Sequence, residues 1–109
     1  MYIGAVTQKP NLDLNKRHDY SEYDHAHFMH MRTGSLHGHK KNWSDIQGNN
    51  CIKLQDTITV EAQSGPQGYV RFWKNDKRFG GEWSGDIPGP LVIALQMYVK
   101  GCSFQLLSA

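Results

Sequence analysis

Residues 57–62, with the sequence Thr-Ile-Thr-Val-Glu-Ala, constrain the fold of this chain more than any other stretch. Ile58, Val60 and Ala62 recur at every second position, which is the spacing of a β-strand with one buried face. The polar side chains between them can remain in water. The segment is therefore expected to be a strand at the surface of an apolar core.

Two reversals follow this strand. Residues 64–68 (Ser-Gly-Pro-Gln-Gly) favour a turn, because glycine adopts positive φ and proline fixes φ. Residues 69–73 (Tyr-Val-Arg-Phe-Trp) predict a second strand with large side chains on both faces. Residues 74–77 (Lys-Asn-Asp-Lys) favour another turn, because Asn and Asp tolerate left-handed backbone. A chain that reverses twice within so short a stretch builds antiparallel sheet.

The remaining sequence predicts further short strands and shows no helical periodicity. Strands are expected at residues 2–6, 26–31, 91–95 and 102–107, and surface loops at 7–24, 43–50 and 82–90. The 91–95 run is apolar on both faces, which predicts a central strand buried from both sides. The 109 residues suit one domain. With roughly six or seven short strands, the sequence predicts a single all-β domain over residues 1–109, an antiparallel β-sandwich.

Charge and cysteine content narrow the function classes. The formal net charge of +2 is too small to favour nucleic-acid binding. No apolar run approaches the ~20 residues that span a bilayer, and the amino-terminal residues lack the basic flank of a signal peptide. Cys51 and Cys102 have neither the number for a disulfide framework nor the spacing of a redox or zinc site. These features predict a cytoplasmic or nuclear protein with no cofactor and no nucleic-acid or membrane partner.

Five short sequence motifs follow one another along the chain in an order that can be compared with known domain families. They are residues 2–6 (Tyr-Ile-Gly-Ala-Val), 33–37 (Thr-Gly-Ser-Leu-His), 56–60 (Asp-Thr-Ile-Thr-Val), 70–75 (Val-Arg-Phe-Trp-Lys-Asn) followed by Phe79 and Gly80, and 88–91 (Pro-Gly-Pro-Leu). In this order, and at about the family's spacing, they resemble the motifs of the SPRY domain. The aspartate that opens the third segment and the Phe-Trp-Lys-Asn of the fourth are the most specific pieces.

The resemblance implies a concanavalin-like jelly roll, a bent β-sandwich whose loops at one end recognise a short peptide or a folded protein. Such domains often act as substrate adaptors, for example in ubiquitin ligases, so an adaptor or an assembly subunit is expected. The family has no catalytic residues to transfer, which implies that the chain is not an enzyme. The family's first one or two strands precede the strand that here begins at residue 1. They are expected in a longer polypeptide or in another chain, unless the domain is unusually short.

Aromatic side chains in loops are the candidate partner-binding residues, because they bury a large area at a small cost in entropy. They are Tyr20, Tyr23, Trp43, Trp83 and Tyr98. The loops at 7–24 and 81–90, with Trp43 nearby, are expected to form the recognition face for a protein or peptide partner.

Histidines give the densest chemical signal in the chain. Residues two apart on a strand point to the same side, so His25 with His27 could offer two imidazoles to Zn²⁺. His37 with His39 has the same spacing. Imidazole is also a common neutral side chain on half-exposed strands. The sequence favours that interpretation, and no metal site is predicted.

Other function classes stay open. A carbohydrate-binding module is suggested by Trp43 and Asp45 close to Asn49 and Asn50, because sandwich lectins combine loop Asp and Asn with a stacking Trp. A structural subunit of a large complex would cover the sheet edge that a shortened domain exposes. An enzyme is not expected, since no serine lies in a nucleophile motif.

Overall fold

The computed structural model describes residues 2–7, 26–39, 41–53 and 55–96, with the side chains of 41–43 and 96 excepted. Within these ranges the chain consists of strands and turns and has no helix, so none is long and apolar enough to cross a membrane. The strands are β1 (Tyr2–Thr7), β2 (Ala26–His30), β3 (Leu36–Gly38), β4 (Lys41–Ser44), β5 (Ile58–Gln63), β6 (Gly65–Lys74), β7 (Lys77–Arg78), β8 (Trp83–Ile87) and β9 (Leu91–Gln96).

These strands form two antiparallel sheets. The five-stranded sheet has the order β4-β3-β2-β1-β9, and the four-stranded sheet has the order β5-β6-β7, with β8 also paired to β6. Every pairing in both sheets is antiparallel. The prediction of an all-β, antiparallel sandwich is confirmed.

The hairpin of β5 and β6 is the pairing that the alternating sequence predicted. Its register runs from Ile58 opposite Lys74 to Gln63 opposite Tyr69. The predicted turn after β6 is also present, and Asn75 adopts a φ of 56° there. The segment predicted as the first turn behaves differently, because β6 already begins at Gly65 and pairs there with β8.

Hydrogen bonds of the Asn75 and Asp56 side chains link the chain segments at the end of this hairpin that lies away from the β5–β6 connection. The Asn75 side-chain amide accepts from the Thr57 backbone N–H (3.1 Å) and donates to the Asp56 carboxylate (3.3 Å). The backbone N–H of Asn75 donates to the Thr57 carbonyl (2.7 Å), and the Lys53 N–H donates to Asp56 (2.7 Å). The Lys53 N–H, as the largest cause, and the Asn75 side chain hold the pKa of the Asp56 carboxyl below its usual value.

The main core lies between the two sheets. The five-stranded sheet contributes buried residues from β1, β2 and β3, and the four-stranded sheet contributes buried residues from β6 and β8. They are Ala5, Met29 and Leu36 from the first sheet and Val70, Phe72, Trp83 and Ile87 from the second. Ile58, Val60 and Ala62 pack against this cluster from β5, as the alternation in the sequence predicted.

A second buried cluster occupies the other face of the five-stranded sheet. It consists of Val6, Ala26 and Phe28, with partly buried side chains from β1 and β9 packed against it. The centre of this sheet is therefore buried on both faces. Gly4 of β1 lies opposite Phe28. A Cβ atom at Gly4 would meet the carbonyl oxygen of His27 and would lie 2.8 Å from the Cα of Phe28, so the two strands are close enough to exclude any side chain there.

Two predictions about individual segments are wrong, and a third has the wrong boundary. The 91–95 run forms β9, which is not buried from both sides, because Ile93 is 57% and Leu95 39% exposed, and among the described strands β9 pairs only with β1. The segment expected to be a loop at 82–90 contains β8. The loop expected at 43–50 is present from residue 45, because residues 43 and 44 still belong to β4. Hydropathy failed in β8 because its two buried residues, Trp83 and Ile87, are four apart, and the residue between them on the same face is Gly85, which has no side chain to reveal the alternation.

Candidate functional site

The outer face of the four-stranded sheet carries an aromatic and charged surface, which we call the Tyr69–Trp73 face. Successive side chains of a strand point to opposite sides. Since Val70 and Phe72 are buried in the core, Tyr69, Arg71 and Trp73 must lie on the outer side, where all three are half-buried. The sequence had predicted large groups on both sides of β6 but had not assigned them a function.

Neighbouring strands complete this face. On β5, Thr59 lies opposite Trp73, Glu61 opposite Arg71 and Gln63 opposite Tyr69. On the other side of β6, Arg78 of β7 lies opposite Trp73 and Ser84 of β8 lies opposite Tyr69. The face is a row of one strand's aromatic and guanidinium groups flanked by polar side chains.

The two arginines of the face are held by carboxylates. The Nε of Arg71 lies 3.1 Å from Oε1 of Glu61 and 3.8 Å from Oε2 of Glu82. The Nη2 of Arg78 lies 3.7 Å from the other carboxylate oxygen of Glu82. Glu82 thus joins the two arginines, and the charges of this group balance.

Each arginine also stacks on an aromatic ring. The guanidinium carbon of Arg71 lies 3.7 Å from the ring centroid of Tyr69, and that of Arg78 lies 5.5 Å from the ring centroid of Trp73. Exposed ion pairs contribute about 0–1 kcal/mol each, and exposed cation–π contacts about 0.5–1 kcal/mol. The network therefore adds little to stability, but it brings four large side chains into contact with one another.

Most of the sequence-predicted partner residues cannot be compared with this face. Tyr20, Tyr23 and Tyr98 lie outside the described residues, and of Trp43 the structure describes only the backbone, in β4. Trp83 is not in a loop. It lies on β8 opposite Val70, where its side chain is only 3% exposed, because this side of the strand faces the core. Trp83 therefore offers almost no surface to a partner.

The histidines are distributed over both faces of the five-stranded sheet. On the core side, the ring of buried His27 stacks on that of His39 at 5.2 Å, and the edge of Trp83 approaches His27 at 5.2 Å. On the other side, the ring of His37 lies 5.1 Å from that of Tyr2. The expectation that His37 and His39 share a face is wrong, because positive φ at Gly38 (102°) and His39 (42°) interrupts the strand alternation.

A metal site gains no support from this arrangement. Among the residues that the structure describes, no group of three or more His, Cys, Asp or Glu side chains could hold a metal ion. His25, the proposed partner of His27, lies outside those residues.

A hydrogen-bonded chain of side chains connects β2 with β3. The Oγ of Ser35 lies 2.9 Å from Nε2 of His37 and 2.7 Å from Oγ1 of Thr33, and all three side chains are buried. His30 stands at the end of this chain, where its Nδ1 accepts a hydrogen bond from the backbone N–H of Arg32 (3.3 Å). A ring nitrogen that accepts carries no proton, so this contact favours neutral His30.

Acid is expected to weaken the fold through His30. Burial, with the charge of Arg32 adding to it, lowers the pKa of His30 below 6.5. The unfolded chain then takes up a proton first, so His30 contributes stability above pH 6.5 that is lost as the pH falls through its folded-state pKa. Urea unfolding of the parent chain and of His30→Gln at pH 7.5 and pH 5.5 measures this contribution. The pH dependence is expected to be smaller in the variant, and an equal dependence in both would contradict the assignment.

Comparisons of the whole chain with protein-family models, with curated proteins and with solved structures found no match. The class of the protein is thus defined by its structure alone: it is an all-β sandwich that carries an aromatic and charged face on one sheet. The resemblance to SPRY domains stays a prediction from the sequence motifs.

Proposed function

We propose that the chain is a non-catalytic protein-interaction module that binds a protein or peptide partner through the Tyr69–Trp73 face. The observation that carries the proposal is the row of Tyr69, Arg71 and Trp73 on one exposed side of β6. Trp, Tyr and Arg are the residue types that dominate binding energy in protein interfaces. The recognition face proposed here lies on the four-stranded sheet, whereas the sequence had predicted it in the loops at one end of the sandwich.

Order within the face supports binding by a preformed surface. Holding a side chain in one conformation at an interface costs about 0.5–1.5 kcal/mol for each long side chain. Arg71 and Arg78 are already held by carboxylates and rings in the free chain. Much of this cost is therefore met during folding, so a partner gains more of the contact energy.

The balanced charge of the face favours a protein over nucleic acid. Two arginines meet two glutamates within the network, so the face lacks the excess of positive charge that phosphate binding requires. A partner with both acidic and basic groups would match it. Free Cys51 is in keeping with a reducing, intracellular compartment, where such an adaptor or assembly subunit would act.

The same face is less suited to a carbohydrate. Sugar recognition of this kind needs an accessible ring face, yet a guanidinium already covers one face of Tyr69 and approaches one face of Trp73. The Tyr69–Trp73 face therefore suits a partner that replaces or extends the arginine contacts better than a sugar that stacks on a bare ring.

Replacing Trp73 with alanine is expected to weaken partner binding by about 30-fold or more, the factor that corresponds to a hot spot of about 2 kcal/mol. Affinity capture from the native source would identify the partner, and titration of the purified pair would give the dissociation constants. Thr59→Ala is the matched control, because Thr59 lies opposite Trp73 on the same face but has little area to bury.

Melting curves of both variants test whether the fold is retained. Equal affinity of the parent chain and Trp73→Ala for the captured partner, with the fold intact, would refute the role of this face. Binding to a glycan array in place of a protein partner, lost in Trp73→Ala, would establish the carbohydrate alternative.

A further inference from the structure

The turn between β2 and β3 is attached to the loop at residues 45–53, which follows β4. The backbone N–H of Gln47 donates a hydrogen bond to the Thr33 carbonyl (2.8 Å). The backbone N–H of Cys51 donates to the Arg32 carbonyl (3.0 Å). The carbonyl groups of two adjacent turn residues therefore hold the loop.

The same two turn residues contact the ring of His30. Its Nδ1 accepts a hydrogen bond from the backbone N–H of Arg32 (3.3 Å) and lies 3.5 Å from the hydroxyl of Thr33. The backbone of His30 closes the turn, because its carbonyl accepts from the Gly34 N–H (2.7 Å) and its N–H donates to the Ser35 carbonyl (2.8 Å). A change at the imidazole therefore reaches the loop through only two residues.

Protonation of His30 would reverse the role of its ring in the turn. A ring nitrogen without a proton accepts a hydrogen bond, whereas both nitrogens of the imidazolium donate. The Nδ1–H of the charged ring would face the N–H of Arg32, so two donors would meet. The Thr33 hydroxyl can accept from the charged ring, but only if the ring turns away from Arg32, and that hydroxyl already lies 2.7 Å from Oγ of Ser35. Either movement displaces the segment of Arg32 and Thr33.

The groups around His30 keep its ring neutral until the solution is acidic. The ring of Tyr2 on β1 lies 4.9 Å away, and that of His37 on β3 lies 5.7 Å away. The charged groups that act on it, Arg32 and the amino terminus, are both positive. Burial, with these two charges adding to it, lowers the pKa of His30 below 6.5. The ring gains its proton as the pH falls through that lowered pKa.

The loop is attached differently at its two ends. Near its start, the side chains of Asp45, Ile46 and Gln47 are exposed, and Asp45 has a φ of 61°, which is uncommon outside glycine. Near its end, Nζ of Lys74 donates a hydrogen bond to the Cys51 carbonyl (3.0 Å) and so attaches the loop to the four-stranded sheet. Segments with exposed side chains and few buried contacts open at a lower free energy than the core.

We propose that protonation of His30 releases the loop at residues 45–53 from the β2–β3 turn. The hydrogen bond from Lys74 keeps the end of the loop attached to the four-stranded sheet, so the opening is local and the two sheets remain packed. None of the residues that form the Tyr69–Trp73 face takes part. The release is therefore independent of partner binding through that face.

Amide hydrogen exchange, followed by NMR between pH 7.5 and pH 4.5, tests the proposal. Each rate is compared with that of the unfolded chain at the same pH, which removes the intrinsic effect of acid on exchange. Protection of the Gln47 and Cys51 N–H groups is expected to fall about tenfold or more, because replacing an acceptor with a charged donor costs more than one ordinary hydrogen bond. The midpoint of this loss should match the pH at which the His30 ring titrates in the same sample. The N–H of Asn75, which donates to the Thr57 carbonyl in the other sheet, is the internal reference and should keep its protection.

His30→Asn is the matched variant, because its side-chain oxygen replaces Nδ1 as an acceptor and does not titrate. Protection of Gln47 and Cys51 should then be independent of pH, and the melting temperature shows whether the variant retains the fold. The proposal would be overturned if these two amides had no protection at pH 7.5, kept it in acid, or lost it together with Asn75. Release that persists in His30→Asn would overturn it as well. If the variant does not fold, the parent chain decides, because a loss centred away from the His30 titration contradicts the proposal.

Discussion

Replacing Phe72 with alanine is expected to lower the free energy of unfolding by about 3–5 kcal/mol, the cost of removing a fully buried phenylalanine ring. The side chain is completely buried in the cluster between the sheets, where it lies across from Val60 of β5. The surrounding side chains come from two sheets, so they cannot all move inward to fill the space. Urea unfolding followed by circular dichroism measures the change as a lower midpoint with an unchanged slope.

The adjacent residue supplies the control. Trp73 belongs to the same strand but lies on the outer, half-exposed side, so Trp73→Ala is expected to cost less than Phe72→Ala, because it removes less buried apolar area. Of these two neighbouring aromatic residues, Phe72 should therefore affect mainly the stability of the fold, and Trp73 mainly partner binding. Similar losses of stability in the two variants would contradict the assignment of Phe72 to the inner side of β6.

Replacing Gly4 with alanine is expected to destabilise the chain by about 3 kcal/mol or more, at or beyond the upper end of ordinary overpacking. The added Cβ would meet the carbonyl oxygen of His27, which belongs to the backbone of the neighbouring strand and cannot rotate away. β1 and β2 would have to separate. Because β1 also pairs with β9, the strain would extend across the centre of the sheet. Thermal and urea unfolding of the purified variant measures the loss.

Gly85 separates this clash from the general effect of substituting a glycine. A Cβ at Gly85 has no atom within 4 Å, but the residue has a φ of 119°, so Gly85→Ala tests backbone strain alone. Strain of this kind costs on the order of 1–3 kcal/mol. If Gly4→Ala proved no more destabilising than Gly85→Ala, the close approach of β1 and β2 would not hold in solution.

The sequence predicted the hairpin of β5 and β6 because the apolar alternation and the turn residues near it indicate the same structure. Ile58, Val60 and Ala62 alternate with polar residues, and Asn75 provides a turn residue that tolerates positive φ. Each signal involves residues close in the chain, so no knowledge of distant contacts is needed. The all-β class follows from repeating this pattern.

Strand position within a sheet could not be predicted in the same way. An apolar run such as β9 indicates burial, but it does not show which strands lie beside it; among the described strands β9 has a neighbour on one side only, and Ile93 is exposed. β8 was missed because Ser84, Gly85 and Asp86 separate its two buried residues, as they would in a loop.

The candidate site could be predicted only in part. Alternation along β6 places Tyr69, Arg71 and Trp73 on one side, and this was visible in the sequence. Their joining into a network through Glu61 and Glu82 requires contacts between strands that only the fold reveals. The loop aromatic Trp83 was selected by residue type, and burial against the core removed it from the surface.

The hydrogen bonds at Asp56 give the two layers of the sandwich different responses to acid. The pKa of Asp56 is already below its usual value, so its bonds to Lys53 and Asn75 persist until the solution is strongly acidic, and the stability they contribute is lost only as the pH falls through that lowered pKa. His30, in the opposite layer, loses its contribution as the pH falls from 6.5 through its own lowered pKa. As the pH falls, His30 in the five-stranded layer is therefore expected to take up a proton before Asp56, beside the layer that displays Trp73, does.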